Sequence, residues 1–279
     1  MFFSGIADES GKPIETQIRA HKELGWKHIE IRNVNATTLA YAEQKEFDSI
    51  RAALDKAGIK VSCFASQIAN WSRDIFGPFE TDADELRRAI PRMKIMGTPF
   101  IRVMSYANKN NVGIPEWRKE SIRRLRELAT MAEQGGVMLL HENCDGWGGK
   151  GPQQSLELLA EVNSPALKLV FDTGNPVWHQ QDSWDYYSQV KKQVLYVHIK
   201  DANRAADGKV TPCYVGEGQG NARRIIKDLV ASGYAGGVSI EPHIAAIVHE
   251  GKESSADQLY LTYLEYGRRL MKIVEEAKK

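Results

Sequence analysis

Two periods of hydrophobic patterning alternate along this chain almost from one end to the other. Short runs rich in β-branched and aromatic residues read as strands at 2–7 (FFSGIA), 28–33 (HIEIRN), 60–65 (KVSCFA) and 100–106 (FIRVMSY). VMLLHEN, LKLVFDTGN, LYVHIKD and GGVSIEP follow in the second half and bring the total to eight. The stretches between them carry the helical period. Across 116–134, for example, Ile122, Leu125, Leu128, Ala129 and Ala132 fall on one face. Pro91, inside DELRRAIPRMKIMG, predicts a kink or a restart of its helix. Gly25, Gly58, Gly97 and Gly136 each stand just before a predicted strand, where a helix C-cap calls for a left-handed residue. This repeated order of helix, cap and strand predicts parallel strands joined by right-handed crossovers, because parallel neighbours need a helix-length return.

The same pattern fits a closed barrel or an open doubly wound sheet. Four segments, LLHEN, VFDTGN, VHIKD and SIEP, separate the two. Each is an apolar run ending in a potential metal ligand: Glu142, Asp172, His198 and Glu241. Their spacings of 30, 26 and 43 residues (172−142, 198−172, 241−198) each suit one strand plus one helix. In a closed barrel the carboxyl ends of four consecutive strands face one mouth, so the four side chains can meet; an open sheet would spread them apart. The expected fold is therefore an α/β (β/α)8 TIM barrel, one domain over residues 1–279. A set of three carboxylates and one imidazole suits a divalent metal, with Mn2+ favoured and Mg2+, Co2+ or Zn2+ as alternatives.

Bulk composition restricts function more than fold. With 42% hydrophobic and 26% charged residues, the chain can bury a sizeable core and still carry a solvated surface. Lys+Arg of 37 against Asp+Glu of 36 leaves a formal net charge of +1, so no global field draws the chain to nucleic acid or to a membrane. The arginines of 116–134 are interleaved with Glu116, Glu120, Glu127 and Glu133, which reads as a salt-bridged outer helix. Cys63, Cys144 and Cys213 are widely spaced and odd in number, an argument against a disulfide framework and for a cytoplasmic location. Asp8 and Glu9 arrive before any long apolar stretch, so neither a signal peptide nor a spanning helix is expected at the start. GEGQGN at 216–221 lacks the third glycine of a dinucleotide fingerprint and reads as a flexible mouth loop. Walker-type and G-x-S-x-G motifs are missing, which removes nucleotide binding and nucleophilic hydrolysis from consideration.

Together HEN, FDTGN, HIKD and IEPH give the chain a resemblance to the xylose-isomerase-like barrel superfamily over nearly its whole length. That superfamily includes ketose 3-epimerases, inosose isomerases and dehydratases, and endonuclease IV. The resemblance to the epimerase branch implies a metal held by Glu142, Asp172, His198 and Glu241, with Glu142 and Glu241 also acting as the catalytic acid/base pair. It implies a substrate contact at Arg204, six residues past the histidine ligand; Asn175, also expected to face substrate, departs from the histidine the epimerases carry there and with HENCDGW weighs toward an eliminating enzyme. An endonuclease IV-like nuclease would need zinc-binding histidines from earlier strands, yet the chain has none between His28 and His141.

The chemistry explains why these groups belong together. Removing a proton beside a carbonyl builds negative charge on oxygen, which a divalent cation chelating two substrate oxygens stabilises as an enediolate. One carboxylate takes the proton and a second, on the opposite face, returns it. The expected activity is a metal-dependent isomerase or epimerase of a small keto-sugar or inosose. The alternative is a lyase or dehydratase that eliminates from a 3-oxo-sugar or 3-oxo-glycoside, in the manner of a C-glycoside deglycosidase. Lys200 and His243, each two residues past a ligand, share its inward face and are expected to touch substrate. Alternation turns His141 away from Glu142; only if the strand is already ending does its ring enter the mouth, as a substrate contact and a candidate base for elimination. Glu30 and Arg32 read as a barrel-interior ion pair ahead of substrate orientation, and Trp71, Trp147 and Trp178, in strand-to-helix loops, as core packing ahead of stacking on a sugar. The expected partners are a small carbohydrate substrate and, through the outer helices, further copies of the chain.

Overall fold

A computed structural model describes residues 1–247 and 252–279. Strand and helix alternate as β1 (Phe2–Gly5), α1 (Ile14–Glu23), β2 (His28–Ile31), α2 (Gln44–Ala57), β3 (Lys60–Ala65), α3 (Glu80–Met96), β4 (Phe100–Ser105) and α4 (Ile114–Gly135). The second half continues with β5 (Met138–Gly146), α5 (Pro152–Val162), β6 (Leu167–Asp172), α6 (Asn175–Trp178), α7 (Ser183–Val190) and β7 (Val194–Ile199). Two short strands, β8 (Ala202–Arg204) and β9 (Val210–Pro212), precede α8 (Ala222–Ala231) and β10 (Gly237–Ile240). The short pair β11 (Ala246–Ile247) and β12 (Lys252–Glu253) then leads into α9 (Ala256–Ala277).

Eight strands pair in parallel in the order β1-β10-β7-β6-β5-β4-β3-β2, and a parallel bridge from Ile6 to Glu30 draws the two edges into a nearly closed (β/α)8 barrel. All eight expected strands are these eight. The left-handed glycines are where the sequence puts them: Gly58, Gly97 and Gly136 cap α2, α3 and α4 at φ of 68, 66 and 67°, and Gly25 follows α1 at 70°. Pro91 neither ends nor restarts α3, which runs unbroken from Glu80 to Met96. Its ring lies on the exposed face, where the carbonyl it leaves without a partner can turn to water.

A period of two sorts the strand residues onto two faces. Leu139 and Leu167 join an outer apolar layer against the helices, as do Leu169, Phe171, Val197, Ile199, Val238 and Ile240. The opposite phase points into the barrel. There Cys63, Leu140, Val170 and Tyr196 pack together below the mouth, and Ser62 bonds both Ser4 and Tyr196 at 2.8 Å. One step further along each strand, this inward phase reaches Glu142, Asp172, His198 and, just past β10, Glu241. On α4, Ile122, Leu125, Leu128, Ala129 and Ala132 are buried as expected, while Arg118 pairs with Glu161 at 2.7 Å and Arg123 with Glu120 at 2.6 Å. Among the described residues no helix is long and apolar enough to cross a membrane.

Candidate metal centre and cavity

Glu142, Asp172, His198 and Glu241 each offer one ligand atom at the barrel mouth, all within 4.8 Å of one another. All four side chains are buried. Register accounts for the meeting: Asp172 pairs with His198 across β6 and β7, and Ser239, two residues before Glu241, pairs with His198 across β10.

Each side chain is fixed by its own partners. Asp172 Oδ1 accepts the backbone N–H groups of Gly174 at 2.8 Å and Asn175 at 2.7 Å, and Lys200 Nζ lies 3.2 Å from Oδ2. The Asn143 amide clamps the Asp172 backbone, accepting its N–H at 2.6 Å and donating to its carbonyl at 2.9 Å. Glu142 Oε1 accepts from Asn175 Nδ2 at 3.1 Å, while Oε2 faces Arg102 at 3.4 Å. Glu241 Oε1 lies 3.1 Å from Arg32 and 3.3 Å from His243, with Oε2 turned to Lys200 at 3.3 Å. Gly174 has no room for a side chain, since a Cβ there would stand 2.8 Å from the Lys200 stem.

Electrostatics divides the two glutamates from the aspartate. Burial raises all three carboxyls. At Glu142 the Arg102 guanidinium and His198 outweigh it, and at Glu241 Lys200 and His243 do so, holding both below the usual carboxylate range. Asp172 is pushed up to about 6 because burial outweighs Lys200. Burial opposes the charged Lys200, but Asp172 and Glu241 raise it and keep the ammonium protonated.

A divalent cation fits this donor set. Among the described residues His198 Nδ1, Glu142 Oε2 and Asp172 Oδ2 are buried and make no well-formed hydrogen bond, the two oxygens meeting only the charges of Arg102 at 3.4 Å and Lys200 at 3.2 Å, and all belong to residues turned toward the same centre. Three hard oxygens and one imidazole nitrogen match Mn2+, Mg2+ or Zn2+ equally well on ligand type. A second group, Glu9, Glu241 and His243, also lies within 4.8 Å, but Arg32 already stands among them, 3.4 Å from Glu9.

Above the centre opens a cavity of about 570 Å³. Asn175, Lys200 and His243 line it. Two of the candidate substrate contacts, His141 and Arg204, stand outside it. His141 is fully buried on the outward phase of β5, its ring beside Gly148 and Leu158, and burial lowers it to about 4; the strand continues to Gly146, so alternation holds the ring out of the mouth. Arg204 is outside the cavity wall because β8 pairs with β9 and aims its guanidinium at the Trp178 carbonyl, 3.5 Å away. Glu30 and Arg32 face different partners: Glu30 takes His198, whereas Arg32 takes Asp8, Glu9 and Glu241. Trp71 and Trp178 line the cavity, and Trp147 is core. Arg102, Gln67, Asn70, Cys144, Asp145 and His179 also line it and had escaped sequence reasoning. For Arg102 and Cys144 the inward phase of β4 and β5 was the available signal.

A family model described as xylose isomerase-like TIM barrel matches residues 18–263. A 2-epi-5-epi-valiolone 7-phosphate 2-epimerase from Actinoplanes sp. is 27% identical over 186 residues, 66% of this chain and 64% of the relative. A fructoselysine 3-epimerase from Escherichia coli O157:H7 is 28% identical over 120 residues, 42% of each protein. These matches thus span less than two thirds of the relatives' own lengths. A xylose isomerase-like TIM barrel protein from Mycobacterium smegmatis, solved with magnesium, superposes with a TM-score of 0.74 at 20% identity, covering 100% of this chain and 97% of that one.

Proposed function

The chain belongs to the xylose isomerase-like TIM barrel family, and from that premise we propose that it is a divalent-metal-dependent isomerase or epimerase of a small keto-sugar or inosose. The observation that carries this reading is the convergence of Glu142, Asp172, His198 and Glu241, with one buried ligand atom from each within 4.8 Å of the others, beneath an open cavity. The curated relatives named above are epimerases, which supports the reaction class. In this reading the four residues hold the ion, with manganese favoured among manganese, magnesium, cobalt and zinc. When bound, such an ion supplies Lewis-acid polarisation of a substrate carbonyl.

The chain's own groups do the remaining work. Glu142 and Glu241 are both held ionised by neighbouring cations, so either can accept a proton from the carbon beside the carbonyl. In isomerisation that same glutamate, now carrying the proton, returns it to the adjacent carbon; in epimerisation the partner glutamate takes up a proton from water before delivering it to the other face. Lys200, buried and charged against Asp172 and Glu241, has its ammonium within reach of a substrate oxygen and favours negative charge developing there. Asn175 orients Glu142, and Arg32 with His243 orients Glu241, so each carboxylate presents one oxygen to the substrate. Asn33, Gln67 and Asn70 in the wall supply amides suited to hydroxyls.

A second reading has one observation in its favour. Trp71, Trp178 and Met104 give the cavity an apolar side, which suits a 3-oxo-glycoside whose leaving group is eliminated after the same proton loss. One experiment separates the two: incubation of manganese-loaded protein in deuterated water with ketoses, inososes and 3-oxo-glycosides, followed by NMR. Deuterium entering an intact sugar supports the isomerase or epimerase. Release of an alcohol or phenol with an unsaturated ketone left behind supports the lyase, and no exchange with any compound contradicts both. Glu142→Gln and Glu241→Gln should each slow exchange by about 10² to 10⁴-fold.

A further inference from the structure

Glu30 on β2 is buried to 0% exposure in the barrel interior, and its two carboxylate oxygens lie 3.1 and 3.2 Å from Nε2 of His198, itself at 0%. The Cys63 thiol lies against the same carboxylate. A buried carboxylate is costly unless something nearby carries positive charge or donates hydrogen bonds. Here one donor is an imidazole nitrogen, 3.1 Å away, with the Cys63 thiol beside it. An ionised carboxylate only accepts, so the bifurcated contact requires the proton of His198 to sit on Nε2.

That proton fixes the other side of the ring. A neutral imidazole protonated at Nε2 has its lone pair on Nδ1, and Nδ1 points at the carboxylates, 3.5 Å from Glu142 and 4.0 Å from Glu241. It has no hydrogen-bond partner. Nδ1 facing two carboxylates calls for a positive centre between them, a second ring proton when no ion is present and the ion itself when one is bound. From these facts we propose that Glu30 is a positioning residue for the metal centre: it holds His198 in the Nε2–H tautomer and turns Nδ1 to the ion, while its negative charge strengthens that nitrogen as a donor. This rests on the metal-dependent reading above and adds a fifth residue from β2, on the far side of the barrel from β5 and β6. It also gives Glu30 a different role from Arg32 two positions later, which serves Glu241.

The test is titration of Mn2+ alone into the wild-type chain, Glu30→Gln and Glu30→Ala by calorimetry, with electron-spin-echo spectroscopy of the bound ion in protein carrying 15N-labelled histidine. Wild type should bind one ion with nitrogen coupling from one histidine. Glu30→Gln, which keeps an acceptor but loses the charge, should bind about 10- to 100-fold more weakly. Glu30→Ala should weaken binding further and alter the coupling. Without metal, 15N shifts should report Nε2 of His198 as protonated in wild type, and that signature should change in Glu30→Ala; should the alanine variant fail to fold, Glu30→Gln carries the comparison. If wild type binds one ion and Glu30→Gln matches it within threefold with unchanged coupling, the role assigned to Glu30 is wrong and the metal reading survives. If wild type binds no ion, the metal reading fails and takes this role with it.

Discussion

Asn143 shows how much a non-ligand can matter, since its side chain carries two hydrogen bonds to the backbone of Asp172 in a buried setting. Asn143→Ala should cost about 1 to 3 kcal/mol by leaving buried polar groups unpaired, a loss thermal unfolding would register, and should weaken manganese binding because Asp172 is freed to move. Unchanged stability and affinity would show that Asp172 is held by other means. The residues readable in advance were those whose meaning depends on their own strand: Glu142, Asp172, His198, Glu241, Lys200 and His243 all lie on the inward phase near a strand end. Glu30 and Glu9 were not readable as site residues, because their roles are defined by partners across the barrel with no sequence signal linking them, whereas Arg102 was missed although the inward phase of β4 pointed to it. Arg204, named from the family resemblance and not from the pattern of its own strand, stands just outside the cavity wall. The three-residue strand that contains it turns its side chain toward Trp178, and so short a pairing leaves no periodicity to detect.

Local elements tell a similar story. The glycine run at 216–221 was expected to be a flexible mouth loop, but the backbone N–H groups of Gly216, Gly218 and Gly220 donate to the Asp201 carboxylate at 2.8, 3.1 and 2.9 Å. A Cβ on Gly218 would fall 2.3 Å from that carboxylate, so glycine is needed there for close approach. This anchors the loop beside Lys200 through the next residue in the chain. Asp201→Ala should leave several of these donors unpaired and destabilise the protein by about 3 kcal/mol or more in denaturant unfolding. No change would mean the loop is held elsewhere.

On α1, His21 is fully buried between the Gln17 carbonyl and the Tyr263 hydroxyl of α9, and burial lowers it from 6.5 to about 4. The unfolded chain therefore binds more protons between these values, so His21 contributes stability above pH 6.5 that is lost as pH falls toward 4, by about 3 kcal/mol at most. His21→Gln should flatten the pH dependence of unfolding across this window; an identical slope in the variant would refute the assignment.

Taken whole, the molecule is a barrel whose architecture was readable because helix, glycine cap and strand recur in step, and because four candidate ligands at matching strand ends could meet only if the sheet closed. An ion bound only by the folded chain must stabilise it. Adding manganese at about 100 times its dissociation constant should raise unfolding free energy by about 2.7 kcal/mol, and EDTA should reverse the gain. The decisive observation is anomalous diffraction from crystals of the manganese-loaded protein. The account predicts a single strong peak at the barrel mouth, ligated by Glu142, Asp172, Glu241 and Nδ1 of His198. The absence of a peak among these four side chains, or a strong peak bound elsewhere, would contradict it.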